Sequence, residues 1–96
     1  MELKELLIAT IQYIRVLRNE LTSPKSKQEV IISTIDQFTL LANALNETLN
    51  EIIKVEELNE YLEKLLVAIE NNDFELFVDI AEFEIKPLLE YWSLNI

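Results

Sequence analysis

Histidine, cysteine and glycine are all missing from this chain of 96 residues. Without histidine or cysteine, the chain has no imidazole base, no thiolate nucleophile and none of the usual zinc ligands. Without glycine, it lacks the residue on which phosphate-binding loops and dinucleotide-binding turns depend, and tight β-hairpins lose their favoured residue. These absences exclude several classes of enzyme and favour an all-α protein with no cofactor and no metal.

Long apolar runs and basic clusters are missing as well. No segment approaches the roughly 20 apolar residues that cross a bilayer, and the acidic Glu2 and Glu5 at the start are untypical of a signal peptide. The chain carries 18 acidic and 8 basic residues, whereas nucleic-acid binding needs clustered lysine and arginine. The lack of cysteine is compatible with a reducing compartment. We therefore expect a cytoplasmic protein that binds neither membrane nor nucleic acid.

Hydrophobic residues make up half of the chain, and they recur at the spacings of three and four that indicate amphipathic helices. The pattern predicts one domain, residues 1–96, with helices over approximately 2–21, 27–53, 56–70 and 73–93. The second helix has the most regular seam: Ile31, Ile35, Phe38, Ala42, Leu45, Leu49 and Ile52. At 1.5 Å per residue it would be roughly 40 Å long. We predict an all-α, antiparallel up-down-up-down four-helix bundle with a long second helix.

Two boundaries of the second helix allow alternatives. Its start is either the Ser23–Pro24 pair, with proline in the first turn, or a capping box formed by Ser26 and Glu29. Near residues 54–56 the heptad pattern loses its phase. This change indicates either a break, which we favour, or a phase shift within one longer helix.

The last predicted helix has a marked start and an internal disturbance. Asn71-Asn72-Asp73 marks the boundary, because asparagine tolerates the left-handed conformation that ends a helix, and Asn72 together with Glu75 offers a capping box for the next one. Pro87 lies inside that next helix, where it removes a backbone hydrogen bond to Phe83. We expect a kink at this proline.

The last third of the chain carries a recognisable set of residues: Asn72-Asp73-Phe74, Asp79 and the run Glu82-Phe83-Glu84-Ile85-Lys86-Pro87-Leu88-Leu89-Glu90. It resembles the C-terminal part of uncharacterised small all-helical proteins of low-GC Gram-positive bacteria. The resemblance implies a helical fold. It implies no chemistry, because no activity is settled for those proteins.

Negative charge is concentrated in the second half of the chain. Residues 1–55 hold 7 acidic and 6 basic side chains, a net charge of −1, whereas residues 56–96 hold 11 acidic and 2 basic ones, a net charge of −9. Three of these carboxylates, Glu75, Asp79 and Glu82, fall on one helical face. The acidic half either keeps a hydrophobic protein soluble or recognises a basic partner.

Tyr91 and Trp92 lie close to the end of the last helix. Aromatic residues often anchor interfaces, and they equally often attach a terminal helix to its own core, which is the slightly favoured alternative for Trp92. The candidate partner-binding residues are Glu75, Asp79, Glu82, Tyr91 and Trp92. Each helix also has two apolar stripes, more than a small monomer hides. We therefore predict a homodimer or a groove for a partner helix.

The leading functional prediction is a non-enzymatic protein–protein interaction module: a cytoplasmic adaptor, regulator or chaperone-like accessory protein. It would bind another protein, basic or presenting an amphipathic helix, through a hydrophobic groove flanked by acidic residues. No catalytic, cofactor-binding or metal-ligating residue is assigned. One alternative is a small carboxylate- or metal-dependent hydrolase that uses the acidic residues of the last helix. The other is a structural subunit of a larger assembly.

Overall fold

A computed structural model of the protein describes residues 2–22, 26–48 and 50–96. Within these residues all regular structure is helical: α1 (Leu3–Thr22), α2 (Lys27–Asn46), α3 (Val55–Glu70), α4 (Phe74–Ile80), a π-helical segment (Ala81–Ile85) and α5 (Lys86–Leu94). The last three follow one another directly and together form the C-terminal helix, residues 74–94. The predicted all-α class is confirmed for the described part of the chain.

The core is formed by apolar positions that recur every three or four residues on each helix. Its largest fully buried side chains are Trp92, Phe38, Phe77, Leu7, Ile14, Leu17, Leu41, Leu45, Leu58, Leu65, Ile85 and Leu89. α1 packs against α2 and α5, while α3 packs against α2 and α4. Burial of one such side chain contributes roughly 1.5–3 kcal/mol, so these contacts hold the C-terminal helix between α1 and α3.

The second helix is shorter than predicted. α2 ends at Asn46 instead of residue 53 and has 20 residues, the same length as α1. Beyond its end, the side-chain Oδ1 of Asn50 accepts a hydrogen bond of 2.9 Å from the N–H of Ile52. This local turn competes with helical hydrogen bonding and buries Ile53 instead of Ile52. The predicted seam position Leu49 lies outside the described residues.

The starts of α2 and α3 lie where the sequence pattern places them, to within a residue. α2 begins after Ser26, which has extended backbone angles and makes no side-chain capping hydrogen bond. The position of that start is therefore the one predicted from Ser26, but its capping box does not form. The alternative start at Ser23–Pro24 lies outside the described residues. α3 begins at Val55, so the predicted break near residues 54–56 is confirmed.

A turn of three residues connects α3 to the C-terminal helix. Of the two asparagines in this turn, Asn72 adopts the predicted left-handed conformation, with a φ of 55°, and the N–H of Asp73 donates to the carbonyl oxygen of Ala68 at 2.8 Å. These features end α3 in a Schellman turn. The predicted capping box of Asn72 and Glu75 is wrong, because Asp73 is the N-cap and accepts a hydrogen bond of 3.0 Å from the N–H of Leu76.

Pro87 changes the helical repeat without ending the helix. The N–H of Lys86 donates to the carbonyl oxygen of Ala81, five residues earlier, which is a π-helical hydrogen bond. Proline has no N–H to donate, and the wider π turn before it accommodates the missing bond. A π turn therefore precedes Pro87, and the helix continues to Leu94; the predicted kink stays a prediction.

Candidate functional site

Two of the predicted partner-binding carboxylates are bound by an arginine of the same chain. Arg18 Nη2 donates to Asp79 Oδ1 at 2.8 Å and to Glu82 Oε2 at 3.2 Å, and Arg18 Nε donates to Glu82 Oε1 at 3.3 Å. The two contacts with Glu82 form a bidentate pair, the geometry that suits a planar guanidinium. Asp79 and Glu82 therefore connect the C-terminal helix to α1.

The arginine remains charged in this arrangement. Hydrogen bonds with Glu82 first, and then with Asp79, raise the pKa of Arg18 above its ordinary value. One positive charge thus offsets one of the two negative charges. The side chains of Arg18 and Asp79 are each 44% exposed, so solvent weakens the contribution of these ion pairs to stability.

Glu75 lies beside the same arginine. It lines a cavity of about 220 Å³ together with Arg18, Lys27 and Phe74. The Lys27 Nζ atom lies 5.4 Å from the centre of the Phe74 ring, a cation–π distance. Two basic side chains therefore line the same cavity as Glu75, and its surroundings are less acidic than the sequence suggested.

The two predicted aromatic residues lie in different environments. Trp92 is only 1% exposed and belongs to the core, so its side chain cannot contact a partner while the core is intact. Tyr91 is exposed. The five predicted partner-binding residues therefore do not form one surface: two are paired with Arg18, one borders a small cavity, one is exposed and one is buried.

A groove that the sequence did not identify lies between α3 and the C-terminal helix. Its volume is about 670 Å³. Its floor is apolar, with Val67 53% exposed, Leu76 43% exposed and Ile80 largely covered. We call it the acidic groove. It is lined by Glu60, Glu63, Lys64, Val67, Leu76, Ile80 and Glu84.

The charges around the acidic groove are only partly neutralised. Lys64 is its single basic residue, and its Nζ atom lies 4.0 Å from Glu84 Oε2 and 5.2 Å from the centre of the Tyr61 ring. No group in the described ranges donates a hydrogen bond to Glu84 Oε2, an atom that the surrounding protein buries. With three carboxylates and one ammonium group, the lining has a net charge of −2.

The acidic groove is hard to predict from the sequence because its apolar residues lie between the positions that recur at helical spacing. Val67 falls between Leu65 and Ile69 of the third predicted helix, and Leu76 falls between Phe74 and Phe77 of the last. Each side chain alone is an ordinary exposed apolar residue. An off-seam apolar residue on each of two consecutive helices is the signal that could have indicated the groove.

The carboxylates that the structure describes do not form a metal site. Across the residues that the structure places, no three acidic side chains come close enough together to hold a metal ion. In those same ranges, no helix has both the length and the apolarity required to cross a bilayer.

Comparison with known proteins places the chain in a family. Residues 2–95 match the model of a family described as a domain of unknown function, DUF8042. The match spans far more of the chain than the last third that carried the resemblance to uncharacterised helical proteins. No curated protein and no solved structure matches the chain.

Proposed function

We propose that this chain, which belongs to the DUF8042 family of unknown function, is a non-enzymatic protein–protein interaction module. It acts as a cytoplasmic adaptor, regulator or chaperone-like accessory protein. Its acidic groove binds an amphipathic helix of another protein, with basic residues beside the apolar stripe of that helix. The observation that carries the proposal is an exposed apolar floor within a rim of incompletely paired carboxylates.

The floor supplies the apolar part of recognition. Val67 comes from α3 and Leu76 from α4, and both are substantially exposed. A ligand helix inserts apolar side chains at positions i, i+3, i+4 and i+7 into such a groove. Covering this exposed surface removes apolar area from water, which stabilises the complex by roughly 25 cal/mol per Å² before the costs of association.

The rim supplies selectivity for charge. Glu60 and Glu63 stand one helical turn apart on α3, and Glu84 faces them from the π segment. The surrounding half of the chain, residues 56–96, has a net charge of −9. Basic residues on the partner gain hydrogen bonds and are steered towards this field, whereas an acidic helix is repelled.

The proposal also includes the directions of the helices, the cellular location of the protein and its bacterial origin. The four helices alternate in direction, up-down-up-down; for α3 and the C-terminal helix this is supported by the connection at residues 71–73, which is too short for the two to point the same way. The cytoplasmic location is supported by the absence of cysteine. The bacterial origin is supported only by the resemblance of residues 72–90.

The two alternative functions have different requirements. A carboxylate-dependent hydrolase needs Asp79 or Glu82 to meet a substrate, whereas both accept hydrogen bonds from Arg18. A structural subunit of a larger assembly is expected to be unstable when purified alone. We favour the interaction module because the groove joins exposed apolar surface to carboxylates that are only partly neutralised by Lys64.

A synthetic peptide tests this proposal. The probe has roughly 18 residues, with leucine at helical spacing on one face and lysine elsewhere. We expect micromolar binding to the purified protein, measured by fluorescence anisotropy. The double variant Val67→Ser/Leu76→Ser loses at least about tenfold in affinity, since two apolar contacts disappear. The matched control Ile32→Ser/Leu40→Ser, which changes two exposed residues of α2, binds as the native protein does.

Two control peptides separate shape from charge. A scrambled peptide of the same composition has no apolar face, and a second peptide has glutamate in place of lysine. The proposal predicts weak binding of both. Equal affinity for the amphipathic and scrambled peptides would mean attraction by net charge alone, and equal losses in the groove and control variants would place binding elsewhere.

A further inference from the structure

A second apolar surface lies on the side of the C-terminal helix that faces away from the core. We call it the outer stripe; it consists of Phe83, Pro87, Tyr91 and Leu94. Phe83 is 69%, Tyr91 55% and Leu94 84% exposed, and Pro87 is exposed as well. Steps of four, four and three residues place these side chains on one helical face. The outer stripe has no residue in common with the acidic groove, so its interpretation does not rest on the function proposed above.

The outer stripe is symmetric along the helix. The pairs Phe83/Leu94 and Pro87/Tyr91 are both centred at residues 88–89. If a second C-terminal helix packs antiparallel with this centre, Phe83 meets the partner's Leu94 and Pro87 meets the partner's Tyr91. A two-fold contact between identical chains requires this reciprocity, in which residue i meets j and j meets i.

The charges beside the outer stripe fit the same register. Lys86 and Glu90 are both half-buried and stand one turn apart, centred at residue 88. In the described residues neither of them forms an ion pair. In the antiparallel pair each Lys86 lies beside the partner's Glu90, within about 3 Å along the helix axis. Opposite charges therefore meet twice, once on each side of the symmetry axis.

The register also avoids contacts between like charges. The helix ends at Leu94, so the positions opposite Asp79 and Glu82 fall beyond the end of the partner helix. The most acidic part of one copy is thus not placed against the same part of the other. The arrangement is self-complementary in shape and in charge.

The exposed apolar area of the outer stripe determines how strong a dimer we expect. An aromatic side chain presents roughly 150–250 Å², so the exposed parts of Phe83 and Tyr91 amount to on the order of 250 Å² per copy. Pro87 and Leu94 bring this to on the order of 400 Å², or about half of what each partner buries in an interface of standard size. A dimer of this kind is weak and requires micromolar or higher concentrations.

We propose that the outer stripe binds a second copy of this chain and forms an antiparallel two-fold dimer, with Lys86 of each copy beside Glu90 of the other. Sedimentation equilibrium over a concentration series tests this. The variant Phe83→Ser/Tyr91→Ser lowers the association constant at least about tenfold. The control Ile32→Ser/Leu40→Ser leaves it unchanged, and circular dichroism verifies that both variants stay folded.

A charge exchange between two variants tests the register. Lys86→Glu changes the net charge from −10 to −12, and Glu90→Lys changes it from −10 to −8. Each variant alone places like charges together and associates several-fold more weakly than the native chain. An equimolar mixture restores association, because the glutamate introduced at position 86 of one variant then meets the lysine introduced at position 90 of the other. If only net charge mattered, the mixture would fall between the two variants, and that result would overturn the proposed register.

The dependence on salt concentration distinguishes dimerisation through the outer stripe from peptide binding in the acidic groove. Two chains of like net charge repel, so screening between about 50 and 500 mM salt strengthens the dimer. Binding of the basic peptide to the acidic groove weakens over the same range. A chain that remains monomeric at millimolar concentration and high salt would overturn the dimer and leave the groove proposal standing. A dimer that survives the Phe83→Ser/Tyr91→Ser change would place self-association on another face.

Discussion

On the side of the C-terminal helix that faces α1, Asp79 and Glu82 accept three hydrogen bonds from Arg18 at 2.8–3.3 Å. On the side that faces α3, Glu84 lies 4.0 Å from Lys64 and borders exposed apolar surface. Both sides have carboxylates, two at Arg18 and, with Glu60 and Glu63 of α3, three at the acidic groove. Within the described part of the chain, the first side has a basic partner at hydrogen-bonding distance, whereas the 4.0 Å between Lys64 and Glu84 is too long for a hydrogen bond.

This difference shows why an acidic helical face is a poor indicator of binding. Asp79 and Glu82 attach the C-terminal helix to α1 through Arg18, which already offsets part of their negative charge. At the acidic groove the carboxylates surround Val67 and Leu76, and one lysine stands against three of them. A candidate site requires incompletely paired charge beside exposed apolar surface.

The largest effect that distinguishes the two sides is on peptide binding. The variant Glu60→Lys/Glu63→Lys reverses two charges at the rim, and we expect at least about a tenfold loss of affinity for the lysine–leucine peptide. The variant Asp79→Asn/Glu82→Gln removes two carboxylates at Arg18 and changes affinity by less than about threefold. Isothermal titration calorimetry at low salt measures both. Similar losses in the two variants would remove the distinction between the sides.

An intermediate effect is expected at the turn from which the C-terminal helix starts. Asp73→Ala removes the N-cap acceptor of the Leu76 N–H and is expected to destabilise the protein by about 1 kcal/mol. The matched control Glu75→Ala changes an acidic residue of the same first turn that makes no capping bond, and it costs about 0.5 kcal/mol or less. Urea denaturation measures both. A larger cost for the control would reassign the cap to Glu75.

The smallest effect is expected at Arg18. Arg18→Gln breaks the bidentate pair on the exposed surface, so the melting temperature falls slightly at about 50 mM salt and the difference shrinks at about 1 M. Peptide affinity stays near the native value, since the acidic groove is on the other side of the helix. Differential scanning calorimetry measures the first result. A large decrease that high salt does not reduce would mean that Arg18 stabilises the protein by packing rather than by charge.

Much of the helical architecture could be predicted because it depends on local spacing. The α1 positions Leu7, Ile11, Ile14 and Leu17 are buried as their periodicity indicates. Asn72 adopts the left-handed conformation because asparagine, in a chain without glycine, tolerates it best. The start of α3 at Val55 followed from the change of heptad phase. Each of these features is determined by residues close together in the sequence.

The remaining features depend on contacts between distant residues or on competing local bonds. The pairing of Arg18 with Asp79 joins residues 61 positions apart. Helical periodicity gives the face on which each residue lies, but it does not predict which residues of two helices meet. The predicted end of α2 at residue 53 is wrong. The heptad seam continues to Ile52, whereas the helix ends at Asn46 and a turn at Asn50 follows. The acidic groove arises where α3 packs beside α4, so its apolar floor is visible only in three dimensions.

Mapping amide chemical shifts by heteronuclear NMR during titration with the lysine–leucine peptide would show directly whether the peptide binds in the acidic groove. We expect the perturbed amides to cluster at residues 60–67 and 76–84, and those around Ile32 and Leu40 on α2 to keep their shifts. Perturbations confined to the surroundings of Arg18 and Lys27, or spread evenly over the acidic surface, would contradict the assignment of the acidic groove as the binding site.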